Sequence, residues 1–275
     1  SEKLNTLYQR EKDFEEFAKK AAEIWNNNYD VNDFEDFCNV LSNNLSRTLY
    51  PLQLLSAYHM AFSQNSCNFS VPGAGKTSIV YGAYAYLNSL PKESTKFVDK
   101  ILVVGPLSSF GPWENEYEEC FGREVNSTRI SGGEMSIEDK KQYFFSRNPS
   151  EITLISYQGL ASQTENIEFF LENNDVLIVL DEAHKIKNTD GGLIAESALL
   201  LSEYGKSRVV LTGTPAPNGF RDLSNLFTFI WPNKNLVKYS KLQLDDMTKN
   251  PNDPRINNLI DNLSPFFVRI KKRDL

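Results

Sequence analysis

Hydrophobic positions recur at helical spacing near the start of the chain, then give way to short apolar runs separated by helical stretches. In 11–25, Phe14, Phe17, Ala18, Ala21, Ile24 and Trp25 share one face, with Glu and Lys between them. In 31–45, Val31, Phe34, Phe37, Cys38, Leu41 and Leu45 do the same. Both spacings predict amphipathic helices, joined by the polar segment 26–30. The expected role of the pair is a helical cap packed on the main domain, with a partner-binding hairpin as the functional alternative. A third helix, 49–62, is started by Pro51 and carries Gln53 and His59. His59 is expected to be a packed or surface histidine rather than a ligand.

Beyond residue 65 the period changes. Stretches 101–104, 152–156, 176–180 and 208–211 are short runs bounded by turn or polar residues, and 128–130 is a weaker candidate of the same kind. Runs of this length and composition predict buried parallel strands. Helical stretches lie between them at 78–90 (ended by Pro91), 113–121, 136–146, 167–172 and 193–204, with a charged loop at 92–100. Strand–helix alternation over 65–215 predicts an α/β fold, a parallel sheet covered by helices on both faces. In such sheets ligands bind at the carboxyl ends of the strands. From 233 the chain turns polar, and 233–256, with Pro251 and Pro254, reads as a loop-rich connection. A helix at 256–263, a strand-like 265–270 and a basic cluster at 269–273 follow.

Composition narrows the class. At 275 residues the chain is long enough for one large domain or two small ones, with an ordinary apolar fraction. A net charge of −7 and a pI near 5.1 argue against a generally basic nucleic-acid coat protein, but leave room for a local basic groove. Cys38, Cys67 and Cys120 form no C-x-x-C pair and His59 and His184 are far apart, which argues against zinc. The sparse cysteines fit a reducing compartment. A cytoplasmic setting is expected, nucleoid-associated or, in a eukaryote, nuclear. No apolar run approaches membrane-spanning length. A start at Ser1 rather than Met fits a piece of a longer protein.

The stretch FSVPGAGKTSIV at 69–80 carries the strongest chemistry. It reads as a short strand, a Gly-containing loop and a helix start, close to G-x-x-x-x-G-K-[ST] with Ser70 at the first position. The loop of Pro72, Gly73, Ala74, Gly75, Lys76, Thr77 and Ser78 is the expected phosphate cradle. Gly73 and Gly75 let the backbone close on a phosphate, Lys76 reaches the β/γ-phosphates, and the Thr77 hydroxyl ligates Mg²⁺. The opening helix adds its positive end. VLIVLDEAH at 176–184 places two carboxylates past a buried strand. Triphosphate hydrolysis needs one acid for the metal and one for the attacking water. Asp181 is assigned to Mg²⁺ with Thr77, and Glu182 to the general base; Lys76, Asp181 and Glu182 form the expected catalytic set.

A phosphate loop, an apolar strand ending in DEAH and an apolar strand ending in TGTP, in this order, resemble the first RecA-like lobe of a superfamily-two helicase or translocase, most of all the Swi/Snf group. The similarity extends through LYPLQ at 49–53, ILVVGPLSSFGPWENEYEECF at 101–121, ISYQGL at 155–160, VLDEAHKIKN at 179–188, LTGTPAPNGFRDLSNLFTFI at 211–230 and PFFVRIKKRDL at 265–275. It covers about 49–275 and leaves the first helices outside. Three regions follow: a helical extension at 1–45, a RecA-like ATP-binding lobe of the P-loop NTPase type at 46–235, and at 236–275 a connection leading towards a second lobe.

The resemblance implies roles. Gln53 would contact adenine, although the family's Arg is Tyr50 here and its Tyr is Leu52. Thr212, Gly213 and Thr214 would couple nucleotide state to the DNA groove, with His184 linking them to the acid pair. Ser108, Ser109, Trp113, Gln158 and the loop from Lys185 to Asn188 would line the nucleic-acid path. The implied cofactors are ATP and Mg²⁺. The implied partners are duplex DNA, gripped by its backbone without sequence preference, and a second RecA-like lobe carrying arginine fingers beyond Leu275. Such fingers are worth roughly 10³–10⁵-fold, so this chain alone is expected to bind ATP·Mg²⁺ weakly and turn it over slowly. A nucleotide-switch ATPase and a DNA- or protein-binding module with little hydrolysis are the two alternatives.

Overall fold

The computed structural model describes residues 1–187 and 192–275. Twelve α-helices and seven strands are defined among them. The chain opens with α1 (Glu2–Trp25), α2 (Val31–Asn44) and α3 (Pro51–Ser63). Strand β1 (Asn65–Asn68) leads into α4 (Lys76–Ser89), and β2 (Lys100–Val104) into α5 (Phe110–Phe121). Next come β3 (Ser127–Arg129), α6 (Ile137–Phe145), β4 (Ile152–Ile155), α7 (Tyr157–Ser162) and α8 (Thr164–Glu172). Strand β5 (Val176–Leu180) is followed by α9 (Leu193–Ser202), and β6 (Ser207–Leu211) by α10 (Leu223–Ile230). The chain closes with α11 (Lys241–Lys249), α12 (Arg255–Leu263) and β7 (Phe267–Val268).

The strands form one sheet in the order β3-β4-β2-β5-β6-β1-β7, with every pairing parallel. Alternation along β5 shows why its sequence is apolar throughout. Val176, Ile178 and Leu180 pack into one core while Leu177 and Val179 pack into the other. Because side chains alternate between faces with period two, a strand covered on both sides favours apolar residues at every position. One layer packs α7, α8, α9 and α10 around residues such as Phe170, Ala198 and Phe227. The opposite layer packs α3, α4 and α5, with α2 outside them, around Tyr58, Ile79, Tyr81 and Trp113.

The first two helices cap this body as their spacing predicts. Asp30 caps α2 by accepting from the amides of Asn32 (2.8 Å) and Asp33 (3.4 Å). Phe37 and Leu41 enter the core beside α4. From α1, Phe17 is buried and Phe14 meets the Trp231 ring edge-on at 5.0 Å. His59 is packed, as expected: it is 3% exposed and its Nε2–H donates to the Pro265 carbonyl at 2.7 Å.

Three readings are corrected by the structure. The strand before the phosphate loop is β1, Asn-Ser-Cys-Asn, not a run beginning at Phe69. Its polar side chains hide it from a hydrophobicity reading, yet all four residues are buried. The Asn65 carbonyl oxygen Oδ1 accepts from the Arg208 amide at 3.0 Å, and Asn68 Oδ1 accepts from the Ser70 amide at 3.0 Å. Second, 233–256 is not loop throughout. Ser240 and Gln243 form a reciprocal cap that starts α11, which buries Leu244 and Met247. Three apolar positions in nine residues, of which Leu242 is exposed, are too few to signal a helix. Third, the strand-like 265–270 contributes only Phe267 and Val268, which extend the sheet beyond β1 in the register Cys67↔Phe267 and Asn68↔Val268.

Candidate nucleotide site and the adjoining surface

Strands β1, β6 and β5 are neighbours, so the loops leaving their carboxyl ends are neighbours too. After β1, Gly73 (φ +88°) and Gly75 (φ +77°) take left-handed backbone that other residues adopt only at a cost. A Cβ on Gly73 would stand in open space, so the loop presents bare backbone there. Gly75 precedes α4, and the first intrahelical bond is made by the Ile79 amide to Gly75 O at 3.0 Å. The amides of Lys76, Thr77 and Ser78 therefore face the helix end, where an anion is favoured.

The loop is braced from beneath. Ser70 is fully buried, and its Oγ accepts from the Ile270 amide at 2.9 Å, tying the loop to the segment after β7. Gln53 bridges as well, its Oε1 accepting from the Tyr50 amide (3.1 Å) and its Nε2 donating to Ala74 O (3.2 Å). Lys76 Nζ donates to Ser70 O at 2.7 Å, folded back along its own loop. Burial lowers the Lys76 pKa, against the opposing charges of Asp181 and Glu182.

Past β6, the Thr212 amide donates to Asn68 O (3.1 Å) and Thr212 Oγ1 accepts from the Thr214 amide (3.1 Å). A Cβ on Gly213 would lie 3.4 Å from Pro72 Cδ and 3.5 Å from Ser70 O, so this turn is in van der Waals contact with the phosphate loop. Past β5, Glu182 takes left-handed backbone (φ 50°, ψ 52°), uncommon for a residue with a side chain. Strain of this kind concentrates at functional sites. Asp181 is held from three sides. Trp113 Nε1 donates to its Oδ2 at 2.9 Å, the Tyr157 hydroxyl donates to its backbone oxygen at 2.6 Å, and a Cβ on Gly105 would lie 3.1 Å from its Cβ. Burial raises the Asp181 pKa, the Trp113 hydrogen bond opposes that rise, and the Glu182 charge adds to it.

The structure thus brings Lys76, Asp181, Glu182 and Thr212–Thr214 to one end of the sheet. It also reassigns two residues. Trp113 is 1% exposed, with its indole N–H committed to Asp181, so it offers no surface to a nucleic acid. The Ser78 side chain is buried against α5, bonded to Glu116 and accepting from Arg47 (3.1 Å), which leaves only its backbone amide for a ligand. Tyr157 and Asn225 escaped the sequence reading. Asn225 Nδ2 donates to Ile186 O at 2.6 Å, joining α10 to the turn after the acid pair. Their motif stretches were visible, but nothing in the residues alone said which atom would be held.

The donor set fits a nucleoside triphosphate with Mg²⁺. Exposed loop backbone, a helix end and a lysine suit the phosphates. Among the described residues no group of three His, Cys, Asp or Glu side chains could cage a metal. A Mg²⁺ held by one hydroxyl, one carboxylate and phosphate oxygens needs no such cage.

A second set of candidates rises from the neighbouring strands β4, β2 and β5. Ser108 is exposed, whereas Ser109 is half-buried and its Oγ donates to Pro106 O at 2.7 Å. Gln158 and Lys185, both exposed, line one groove of about 480 Å³ with Ser162 and Leu193. His184 is half-buried, its Nδ1 without a hydrogen-bond partner among the described residues. Asn188 lies outside the described residues.

Comparison with known proteins gives the family. Residues 20–275 match the SNF2-related domain. An uncharacterized ATP-dependent helicase of Mycoplasma genitalium is 30% identical over 200 residues, 73% of this chain and 18% of that protein. A DNA repair and recombination protein RAD54-like of Danio rerio is 30% identical over 139 residues, 48% of this chain and 18% of that protein. The ISWI chromatin-remodeling complex ATPase ISW1 of Saccharomyces cerevisiae is 25% identical, over 74% of this chain and 17% of its own length. Each relative is therefore matched over less than a fifth of its length. In fold, the chain is similar to the Sulfolobus solfataricus SWI2/SNF2 ATPase core domain, with a TM-score of 0.62 at 24% identity over 84% of this chain and 45% of that one. With a RecA-like parallel sheet and a family match over nearly its whole length, the chain belongs to the SNF2-related domain family.

Proposed function

We propose that this chain is the ATP-binding and hydrolysing lobe of a DNA-dependent translocase of the Swi/Snf type. One observation carries the reading: β5 is shared by two surfaces. At its carboxyl end Asp181 and Glu182 lie within electrostatic reach of Lys76 in the phosphate loop, and the turn through Lys185 that follows them lines the groove with Gln158. A change at the acid pair is thereby one short turn away from the groove.

The residues divide the work. The loop amides and Lys76 bind the phosphates, and Lys76 leaves Ser70 O to do so. Thr77 and Asp181 would hold Mg²⁺, which supplies charge neutralisation to the β- and γ-phosphates. Trp113 and Tyr157 orient Asp181, and Glu182 takes the proton of the attacking water. Gly213, against the phosphate loop, senses whether that loop is filled. Ser108, Gln158 and Lys185 touch the nucleic-acid backbone. A second RecA-like lobe completes the site, and the segment 236–275 leads towards it. The region boundaries at 45 and 235 belong to the same reading.

Measuring ATPase activity of the parent protein with and without duplex DNA tests this. Stimulation by DNA supports the motor. Activity indifferent to DNA supports a nucleotide switch instead, and absent activity supports a binding module.

A further inference from the structure

At the opposite end of the sheet from the phosphate loop, where β1 and β6 begin, a cavity of about 260 Å³ opens beneath α1. It is lined by Arg10 of α1, Gln64 and Asn65 at the start of β1, Arg208 of β6, and Trp231. Its polar atoms are not balanced among themselves. Arg208 donates through Nε to Ser202 O and through Nη1 to Asn65 Oδ1 (3.3 Å). Neither Arg208 nor Arg10 forms an ion pair among the described residues, although Asp13 and Glu203 also line the cavity. Lys206, on the same wall, is already held by Asp175 at 3.1 Å.

Two further atoms are buried without partners among the described residues: the indole Nε1–H of Trp231, a donor, and Oε1 of Gln64, an acceptor. A buried polar group left unpaired has lost its hydrogen bonds to water without replacement, and in folded proteins such groups are few. Gln64 in addition holds left-handed backbone (φ +65°) while its Nε2 donates to Lys206 O at 2.8 Å. Burial first, and the Arg10 charge second, bring the Arg208 guanidinium down to about 10, with Glu203 opposing. Two guanidinium groups thus repel in one cavity, tempered by the carboxylates of Asp13 and Glu203, and two of its lining residues, Trp231 and Gln64, carry a buried donor and a buried acceptor without partners among the described residues.

We propose that this cavity binds a small carboxylate that also bears an N–H or O–H donor, an amino acid or a hydroxy acid. The carboxylate lies between Arg10 and Arg208 and accepts from Trp231, in charge-assisted hydrogen bonds. The amino or hydroxyl group donates to Gln64 Oε1. The volume suits a molecule of a few heavy atoms, since ligand pockets for larger molecules start at about 300 Å³. The site is separate from the nucleotide: β1 has four residues, a span of roughly 13 Å at about 3.3 Å each.

The chain has three tryptophans, so its indole N–H NMR spectrum holds three peaks, Trp25, Trp113 and Trp231. L-serine and L-lactate are titrated into the whole chain with a fixed excess of ATP·Mg²⁺. The expected result is a saturable shift of the Trp231 peak with one or both acids, the responding acid naming the class, while the Trp113 peak stays in place. Arg10→Gln, at an exposed position, is expected to weaken binding about tenfold, the size of one charge-assisted bond. Arg208→Gln should abolish the shift, with the Trp113 peak reporting that the sheet is intact. A Trp231 peak unmoved by either acid at millimolar concentration overturns the proposal. So does a shift of equal affinity in the Arg10→Gln chain, which stands even where Arg208→Gln does not fold.

Discussion

The indole N–H of Trp113 donates to Oδ2 of Asp181 at 2.9 Å, joining α5 to the carboxyl end of β5. The aromatic residue is thereby part of the acid's environment rather than of a nucleic-acid surface. Trp113→Phe keeps most of the buried ring and removes the donor. Asp181 already has a raised pKa from burial, and this hydrogen bond is the largest influence opposing the rise. Its loss sends the pKa further up. If ionised Asp181 holds the metal, the acid limb of ATP·Mg²⁺ binding moves to higher pH in the variant. Nucleotide affinity measured across a pH series checks this; an unmoved limb contradicts it.

Two glycines of the phosphate loop are expected to differ. A Cβ at residue 75 would lie 2.3 Å from Gln53 Nε2, and the backbone there is left-handed. Gly75→Ala therefore combines about 1–2 kcal/mol of conformational strain with displacement of the Gln53 brace. Gly73→Ala meets only the strain, since its Cβ would stand in open space. Thermal unfolding should rank the variants wild type, Gly73→Ala, Gly75→Ala in falling order, with nucleotide affinity reduced in both.

Ser70 occupies a position where the loop pattern has glycine, and the structure gives the reason for a hydroxyl there. Ser70 Oγ accepts from the Ile270 amide in a fully buried setting. Ser70→Ala leaves that amide without an acceptor, at a cost of roughly 1–3 kcal/mol. Hydrogen exchange of the Ile270 amide should accelerate, and so should exchange at Val71, whose amide donates to Ile270 O at 3.1 Å.

Acid should loosen the contact between α3 and the segment before β7. His59 is buried with its pKa lowered, chiefly by burial. Its folded value lies below the unfolded value of about 6.5, so the unfolded chain takes up the proton first. The contribution of His59 to stability is complete above about pH 6.5 and declines as pH falls, by at most about 1.4 kcal/mol per unit. Unfolding midpoints from pH 8 to 5 check this, using about that range around the ordinary histidine pKa. His59→Gln should lower stability overall and flatten the part of the slope that His59 supplies.

Much of this was legible in the residues. Strand β5 reads directly because a strand buried on both faces favours apolar residues throughout, and Val176–Leu180 is apolar at all positions. The motif order gave the fold and the family because each loop must leave a neighbouring strand to meet the others. Strand β1 was illegible for the opposite reason: its asparagines and serine are satisfied by partners far away in sequence, such as Arg208. Trp113 was misplaced because a tryptophan near a motif looks the same whether it stacks on a base or braces a carboxylate. Helix α11 was missed because its capping box, Ser240 and Gln243, is the clearer signal and its apolar face is only two residues deep.

In the proposed function Lys76, the acids Asp181 and Glu182, and the Thr212–Thr214 turn serve one bound triphosphate. The most direct measurement is ATP·Mg²⁺ binding and turnover in the parent protein carrying Lys76→Ala or Glu182→Gln. The expected result is lost binding in the first and retained binding in the second, with turnover down by about 10²–10⁴-fold, the usual worth of a positioned base. Undiminished binding in the lysine variant, or full turnover in the glutamine variant, would contradict it.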